Sequence, residues 1–547
     1  MRRAAATVCV GAVLLVGTPA AAQVRTVEIL NADSVAVEEG AGGTVRRLVG
    51  SVRLREDTTY IDAPRATQYV ERGEVVLEGP VRVRTGGVTL TADHVTYTSG
   101  SRIAAASGSV RIADGVSVLT APSAHYAVRE ELAAFDAGGV LTHEGSVLTA
   151  ARGTYDTRAR LASFEGAVRL VDSSATLTAH AGTYDARARL ASFLGSVRLD
   201  DSTTVLTAAR GRYATRSRRA EFGGDVQLDR PAAPGRPALR VEADSLVHFR
   251  REERTLAWGQ VVMQREDDES WSAVFGGSAT HDGVADSSAV RGSESDDPLA
   301  VLVRTDSAGA RDTTFARAPR LSVMRLDTLG RQATRVLAAG GARMASERFA
   351  AIADSAAMLR IDSTAAAPAQ SRLLLAGGRP VAWADEAQID ADTLIATGRG
   401  SEPDTLHAFG SPFAAQMDTT LGRVRQLRGR RMLAVFADEG GERRLRRLSV
   451  WPNAEAAYFR AAGDGSLAGA EVVSADSLAF TFRAGELREV RGARGIEGTS
   501  YSARIVPADL QLPGYAYAPE RRPTREALLP AQSWQRDWFR MRVIGDE

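Results

Sequence analysis

The feature that most constrains this chain is a repeat. Gly50, Gly79, Gly108, Gly166 and Gly195 stand 29 residues apart or a multiple of it, with Gly139 offset by a residue or two. The words around them recur as well. Gly166-Ala-Val-Arg-Leu170 leads to Leu177-Thr-Ala-His-Ala-Gly-Thr-Tyr-Asp185 and then Leu190-Ala-Ser-Phe-Leu-Gly195. The next unit runs Gly195-Ser-Val-Arg-Leu199, Val205-Leu-Thr-Ala-Ala-Arg-Gly-Arg-Tyr213 and Ala220-Glu-Phe-Gly-Gly224. A looser grammar continues toward the C-terminus, where an Ala-Asp-Ser-Leu-like step recurs at Ala243, Ala353, Ala391 and Ala475, for about eleven units in all. A chain built this way grows by stacking units onto one core, so its length does not count domains.

Within a unit the period is two. Val168 and Leu170 alternate with Ala167, Arg169 and Val171, while Phe193, Gly195, Val197 and Leu199 keep one parity straight through the glycine. That is a strand with one apolar face, and a glycine in mid-pattern marks a bend or bulge. The short polar segments at Asp156 and Asp185 read as hairpin connections. The Asp of the Ala-Asp-Ser step, repeated in every unit, reads as structural, bonding nearby backbone at a strand bend. The fold class is therefore all-β, an elongated repetitive solenoid of antiparallel strands. The alternation points Val168, Leu170, Leu177, Ala179, Phe193, Val197, Leu199, Leu206, Ala208 and Phe222 inward, and Arg169, Thr178 and Arg198 outward. Helical periodicity is scarce; Arg525 to Trp534 is the one candidate.

The first residues predict export. Arg2 and Arg3, an apolar run from Ala4 to Val16, Pro19 and Ala20-Ala21-Ala22 make residues 1–22 a secretory signal. The single cysteine, Cys9, lies inside it, so the mature chain has neither disulfide nor thiol chemistry. Residues 23–275 form a first repeat region and 320–505 a second. Between them Gly276–Pro319, rich in Ser, Asp, Gly and Arg, reads as an irregular insertion; 506–547 is a tail.

Several chemistries are excluded or unsupported. All 68 basic residues are arginine, so no P-loop or Schiff-base lysine exists, and a net charge of +1 gives no case for nucleic acid. The seven histidines show no metal-ligand spacing and read as surface residues. The acidic runs at Glu266–Glu269 and Ser293–Asp297 read as solvated loops. The densest basic run, Arg428 to Arg447, reads as a solvated strand face or, alternatively, a phosphate-contacting patch. No nucleophile elbow and no carboxylate cluster peculiar to one repeat is present, so the expectation is a non-enzyme without cofactor or metal.

Val88-Thr-Leu-Thr-Ala-Asp-His-Val-Thr-Tyr97 followed by Ala106-Ser-Gly-Ser-Val110 resembles the OstA-type domain of LptA, LptC and the N-terminal part of LptD. Ala391-Asp-Thr-Leu394, Leu448-Ser-Val450 and Ala475-Asp-Ser-Leu478 are similar to phrases in long OstA-like proteins of Bacteroidetes-type bacteria. The resemblance implies a β-taco or β-jellyroll, a pair of sheets whose interior shelters the acyl chains of lipopolysaccharide. It also implies a periplasmic or outer-membrane-associated protein. Such a protein would form part of a bridge between the membranes, joined by edge-strand addition to LptC-like and LptD-like partners or end to end to itself. On that reading the ten inward residues line a lipid slot, and Ala179→Arg or Ala208→Arg would block it without unfolding the stack. The alternative is a secreted or surface β-solenoid, such as an adhesin, with a filled core.

Overall fold

The structure is a computed structural model. It describes residues 27–529 and 532–539 apart from 235, 267–269, 295, 306–310, 329, 365–366, 400–401, 440–441 and 484–485. The expected signal segment lies outside the described residues. Forty strands, paired antiparallel, and three short helical turns make up the regular structure described. The chain divides into two compact units, Met1–Gly166 and Ala167–Glu547.

In the first unit, strands Gly43–Glu56, Thr59–Tyr69, Glu74–Thr85, Val88–Thr98, Ile103–Ala113 and Ser117–Ala127 pair in chain order as a meander. Every pair slips register once, in mid-strand, where a Gly-X dipeptide bulges. Gly50 and Ser51 have φ of 80° and 45°, Gly108 and Ser109 of 73° and 51°. Two successive left-handed residues fold one strand into two arms, and the arms of successive strands build two facing half-sheets.

The glycine is required by what crosses it. A Cβ on Gly50 would lie 2.1 Å from Asp33 Oδ2, and one on Gly108 2.5 Å from Asp93 Oδ2. The second unit repeats the arrangement with Gly259 under Asp244 and Gly410 under Asp392, each at 2.1 Å. The recurrent glycine and the recurrent aspartate are thus two halves of one joint. The aspartate backbone N–H takes part, as in Asp392 N–H to Phe409 O at 3.0 Å.

The second unit begins the same way, with bent strands Thr176–Asp185, Leu190–Asp200, Val205–Ala214, Arg219–Arg230, Ala238–Phe249, Arg254–Glu266 and Ser270–Asp282. The arms are separate strands between Ser287 and Thr328, and again throughout beyond Phe349–Ile361. A front sheet carries Val381–Ala384, Ala387–Asp390, Phe413–Asp418, Arg423–Arg428, Ala454–Ala461 and Leu467–Ala475. A back sheet carries Gln370–Ala376, Thr393–Arg399, Glu402–Phe409, Arg431–Glu439, Glu442–Trp451 and Ser477–Arg483.

Two sequence expectations are corrected. Gly276–Pro319 is not irregular: it contains the end of Ser270–Asp282 and the strands Ser287–Arg291, Leu299–Thr305 and Arg311–Arg317, all paired into the ladders. Its strands are short and its connection, Gly292–Pro298, is polar, so average composition concealed runs such as Leu299-Ala-Val-Leu-Val303. The tail does not hold the one helix expected over Arg525 to Trp534. From Ala508 to Trp538 it runs back along the outer face of the front sheet as a strap. Arg423 Nη1 donates to Ala508 O at 2.7 Å, and Gln426 Nε2 to Leu510 O at 3.0 Å. Arg522 Nη1 donates to Asp385 O at 2.7 Å, and Trp538 Nε1 to Glu242 Oε2 at 2.8 Å. In place of one helix it holds α1 (Arg525–Leu528) and α2 (Ser533–Phe539). The cause lies in the sheet beneath: Val262, Ala273, Phe275, Val301 and Phe315 make its outer face apolar, and Leu528, Trp534 and Trp538 cover them. A sheet apolar on both faces needs a third layer.

Candidate functional site: the interior and mouth of the repeats

Alternation brings all ten predicted inward residues into the interior. Val168, Leu170, Leu177, Phe193, Val197, Leu199, Leu206 and Phe222 are 0–4% exposed, and Ala179 and Ala208, beside the bend, 8% and 7%. Arg169 and Arg198 are exposed and Thr178 is half-buried on the opposite face. Each large side chain so buried stabilises by about 1.5–3 kcal/mol relative to exposure.

The alternation did not single out the residues that close the mouth between the two arms. Tyr97, Tyr126, Tyr155, Tyr184 and Tyr213 stand 29 residues apart, and all are 0–1% exposed. The hydroxyls of Tyr97, Tyr155 and Tyr213 cross from one half-sheet to the loop end of the other. In the first unit Tyr155 donates to Asp114 Oδ2 at 2.6 Å, Tyr97 donates to Glu56, and Tyr126 meets Thr157 Oγ1 at 3.3 Å. In the second unit Tyr213 donates to Asp172 Oδ2 at 2.5 Å. Arginines reinforce the line: Arg160 lies 3.6 Å from Asp114, and Arg250 3.1 Å from Asp201. The 29-residue register of the tyrosines is the signal that would have found them.

The electrostatics follow from this placement. Burial alone would raise Asp114, yet the Tyr155 hydroxyl, the amides of Ser117 and Val116 and the Arg160 guanidinium together hold it below the usual carboxylate range. Asp172 is held down against burial in the same way, by Tyr213, Ser174 and the amide of Ala175. Tyr155 and Tyr213 are pushed up, first by burial and then by the carboxylate each one meets. At Tyr155 and Tyr213 a neutral phenol donates to an ionised carboxylate.

The surface reading of the histidines fails at three positions. His143, His248 and His281 are buried. His281 Nε2 lies 3.2 Å from Arg230 Nη1, and its Nδ1 3.0 Å from Ser288 Oγ. Arg265 and Arg230 share Asp286 at 3.4 and 3.2 Å. Burial first, then the neighbouring guanidinium groups, pushes His281 down to about 3; burial likewise pushes His248 down to about 4. Among the described residues no cluster of His, Cys, Asp and Glu could hold a metal ion.

The basic run is divided by the fold. Arg428 pairs with Glu455 at 2.6 Å and Arg443 with Asp404 at 2.8 Å, in different sheets, which favours the ion-paired strand-face reading over a single phosphate patch. Asp296 of the second acidic run is only 12% exposed, and it holds Arg317. No helix among the described residues is long and apolar enough to cross a membrane.

No curated protein matches this chain. Residues 24–180 and 166–233 match the model of a family described as OstA-like protein. The matched span carries the glycine joint, the inward stripe and the tyrosine line just described. Over residues 24–233 this chain is similar to the OstA-like family.

Proposed function

We propose that this chain is an exported, periplasmic, non-enzymatic carrier of lipopolysaccharide or a related lipid, acting as one segment of a bridge toward the outer membrane. The similarity of residues 24–233 to the OstA-like family points to lipid and lipopolysaccharide handling in general. The observation that carries the finer reading is the N-terminal edge of the first unit. Strand Ser34–Gly40 is exposed along its whole length, pairs with Gly43–Glu56, and leaves Val35 and Val37 51% and 57% exposed. An apolar strand with a free ladder edge is a template for another chain's strand. It suits an LptC-like or LptD-like partner, or a second copy. Photocrosslinking from Val37 and from interior positions in living cells tests the proposal. Crosslinks to lipopolysaccharide and to a β-stranded partner are expected, and their absence from both kinds of position would remove its support.

A second reading, a structural solenoid with a filled core, is favoured by one observation: the interior at residues 168–222 is sealed. The two readings differ in whether any part of the interior admits a ligand.

A further inference from the structure

We propose that the second unit holds one monatomic anion, a chloride or a halide of similar size, in a cavity lined by Arg265 and Ser288, where the charge pattern of the repeat mouth is inverted. The site is independent of the lipid-carrier reading.

The inversion is visible in the register of the repeat. Counting in twos from the valine after the joint, Val168 and Leu170 lead to Asp172, and Val197 and Leu199 to Asp201. The same count from Val226 and Leu228 reaches Arg230, and from Val261 and Met263 it reaches Arg265. The facing residue changes as well. Tyr213 is second-last in Val205–Ala214, and His281 is second-last in Ser270–Asp282. Tyr213 donates across to Asp172 at 2.5 Å, whereas His281 Nε2 meets Arg230 Nη1 at 3.2 Å. A phenol facing a carboxylate matches one donor to an acceptor. A guanidinium facing a neutral imidazole leaves donors to spare.

Arg230 Nη1 can only donate, so His281 Nε2 accepts and His281 Nδ1–H donates to Ser288 Oγ at 3.0 Å. Arg265 Nη2 donates to the same oxygen at 3.0 Å. Both acceptor sites of the Ser288 hydroxyl are then used, and its own hydrogen is left to donate. Arg265 Nη1 is buried without a hydrogen bond, on a side chain only 9% exposed. Arg265 and Ser288 line one cavity of about 20 Å³, with Ser272 and Ser322 beside them and Met263 and Leu321 among its apolar walls. Among the described residues no carboxylate lines it: Asp286, which holds Arg230 and Arg265 at 3.2 and 3.4 Å, is not one of its walls.

Charge and size select the occupant. Arg236 has Glu253 at 3.9 Å and Arg325 has Asp362 at 3.3 Å, so among the described residues Arg230 and Arg265 share the one carboxylate of Asp286. His281 is neutral, pushed down to about 3 by burial and then by the two guanidinium groups. One buried positive charge is therefore without a counter-charge, a strongly unfavourable arrangement. A cation would add to it, and a water would leave it uncompensated. An anion can accept from Arg265 Nη1 and the Ser288 hydroxyl and neutralise the charge at once. The cavity admits about one water-sized particle, so phosphate, sulfate and carboxylate groups are too large for it.

The test uses the full chain, dialysed against sodium gluconate and titrated with sodium chloride at constant ionic strength. Hydrogen exchange resolved by mass spectrometry is read over Ser287–Arg291 and Arg320–Thr328, the strands beside the cavity, with Val88–Thr98 as reference. Chloride at about ten times its Kd should slow exchange there about tenfold and leave the reference unchanged. Sodium bromide should act like chloride, and sodium sulfate at the same ionic strength should not. Arg265→Met removes the charge and should lose the chloride response. Ser288→Ala removes the other free donor, stands in should Arg265→Met fail to fold, and should raise the Kd for chloride about tenfold. Exchange indifferent to chloride overturns the proposal in favour of a water in the cavity. Equal slowing by sulfate, or a chloride response unchanged in either variant, overturns the site.

Discussion

Replacing Tyr155 by phenylalanine removes one hydroxyl from the mouth of the first unit and leaves the ring in place. The lost bond is to an ionised carboxylate, a class worth about 1.5–3 kcal/mol. Asp114 is not orphaned, since it still accepts from Ser117 N at 2.7 Å and Val116 N at 3.0 Å and stays near Arg160. The lower end, about 1.5 kcal/mol, is therefore expected. Tyr126→Phe is the internal control, because its partner is the neutral Thr157 and its bond is long at 3.3 Å, so about 0.5 kcal/mol is expected there. The two differ in pH dependence as well. Asp114 has a depressed folded pKa, so its contribution is present above the unfolded value and lost as pH falls through the folded one. The Tyr155→Phe deficit should shrink below about pH 4, whereas the Tyr126→Phe deficit should stay level. Stacked units open locally, so the assay is native-state hydrogen exchange resolved by mass spectrometry over Ile103–Ala113 and Arg152–Asp156. Equal loss of protection in the two variants, or a deficit indifferent to acid, would refute the tyrosine–carboxylate closure.

Acid should also weaken the second unit from within. His248 and His281 are neutral in the fold, at about 4 and about 3, so the unfolded chain takes up protons first and stability falls by about 1.4 kcal/mol per pH unit for each below about 6.5. A melting temperature flat between pH 7 and 4.5 would contradict this. Gly259→Ala should cost more than Gly166→Ala, because its Cβ would lie 2.1 Å from Asp244 Oδ2 rather than 3.0 Å from Ala151 Cβ, while both share a left-handed φ; equal melting points would show that φ alone decides. Trp538→Ala should cost about 3 kcal/mol and open 508–539 to limited proteolysis, because Trp538 packs against Phe275 and donates to Glu242; cleavage beginning elsewhere would contradict the strap. Ala179→Arg should abolish the melting transition of the repeats, not only a lipid signal, because an unpaired guanidinium would enter a sealed core at a cost of about 3 kcal/mol or more. A retained transition would favour a lipid slot in the repeats.

Strand type, facing and repeat length were legible because each depends on a local period that the sequence repeats almost verbatim. Leu170 and Leu199 could be placed by counting in twos. What stayed hidden depends on contacts some 40 residues apart. Tyr155 finds Asp114 only after the chain has folded over itself, and no two-residue count links them. The strap was hidden for another reason. Its partners Gln388 and Gln426 are isolated glutamines whose burial, at 4%, has no periodic signature, and Trp538 meets a sheet nearly 300 residues earlier in the chain. The buried histidines belong to the same class, since burial of a polar side chain is decided by its neighbours across the ladder.

The change from bent to split strands was written in the sequence at the joint itself. In the first repeats the bend is Gly-X-Val, as in Gly50-Ser-Val52 and Gly195-Ser-Val197, and the second arm resumes pairing at once. Later the joint changes, as at Gly377-Gly-Arg-Pro380, Gly410-Ser-Pro412 and Trp451-Pro-Asn453, although proline already stands in the bent joint Gly79-Pro-Val81. At these joints pairing stops, and the next arm starts as a new strand in the other sheet. The tyrosine series, Tyr97 to Tyr213, gives way to His248 and His281 in the last bent strands, and once the arms are separate strands each sheet continues through its own hairpins without it. The altered joint therefore marks in the sequence where the two arms part into front and back sheets.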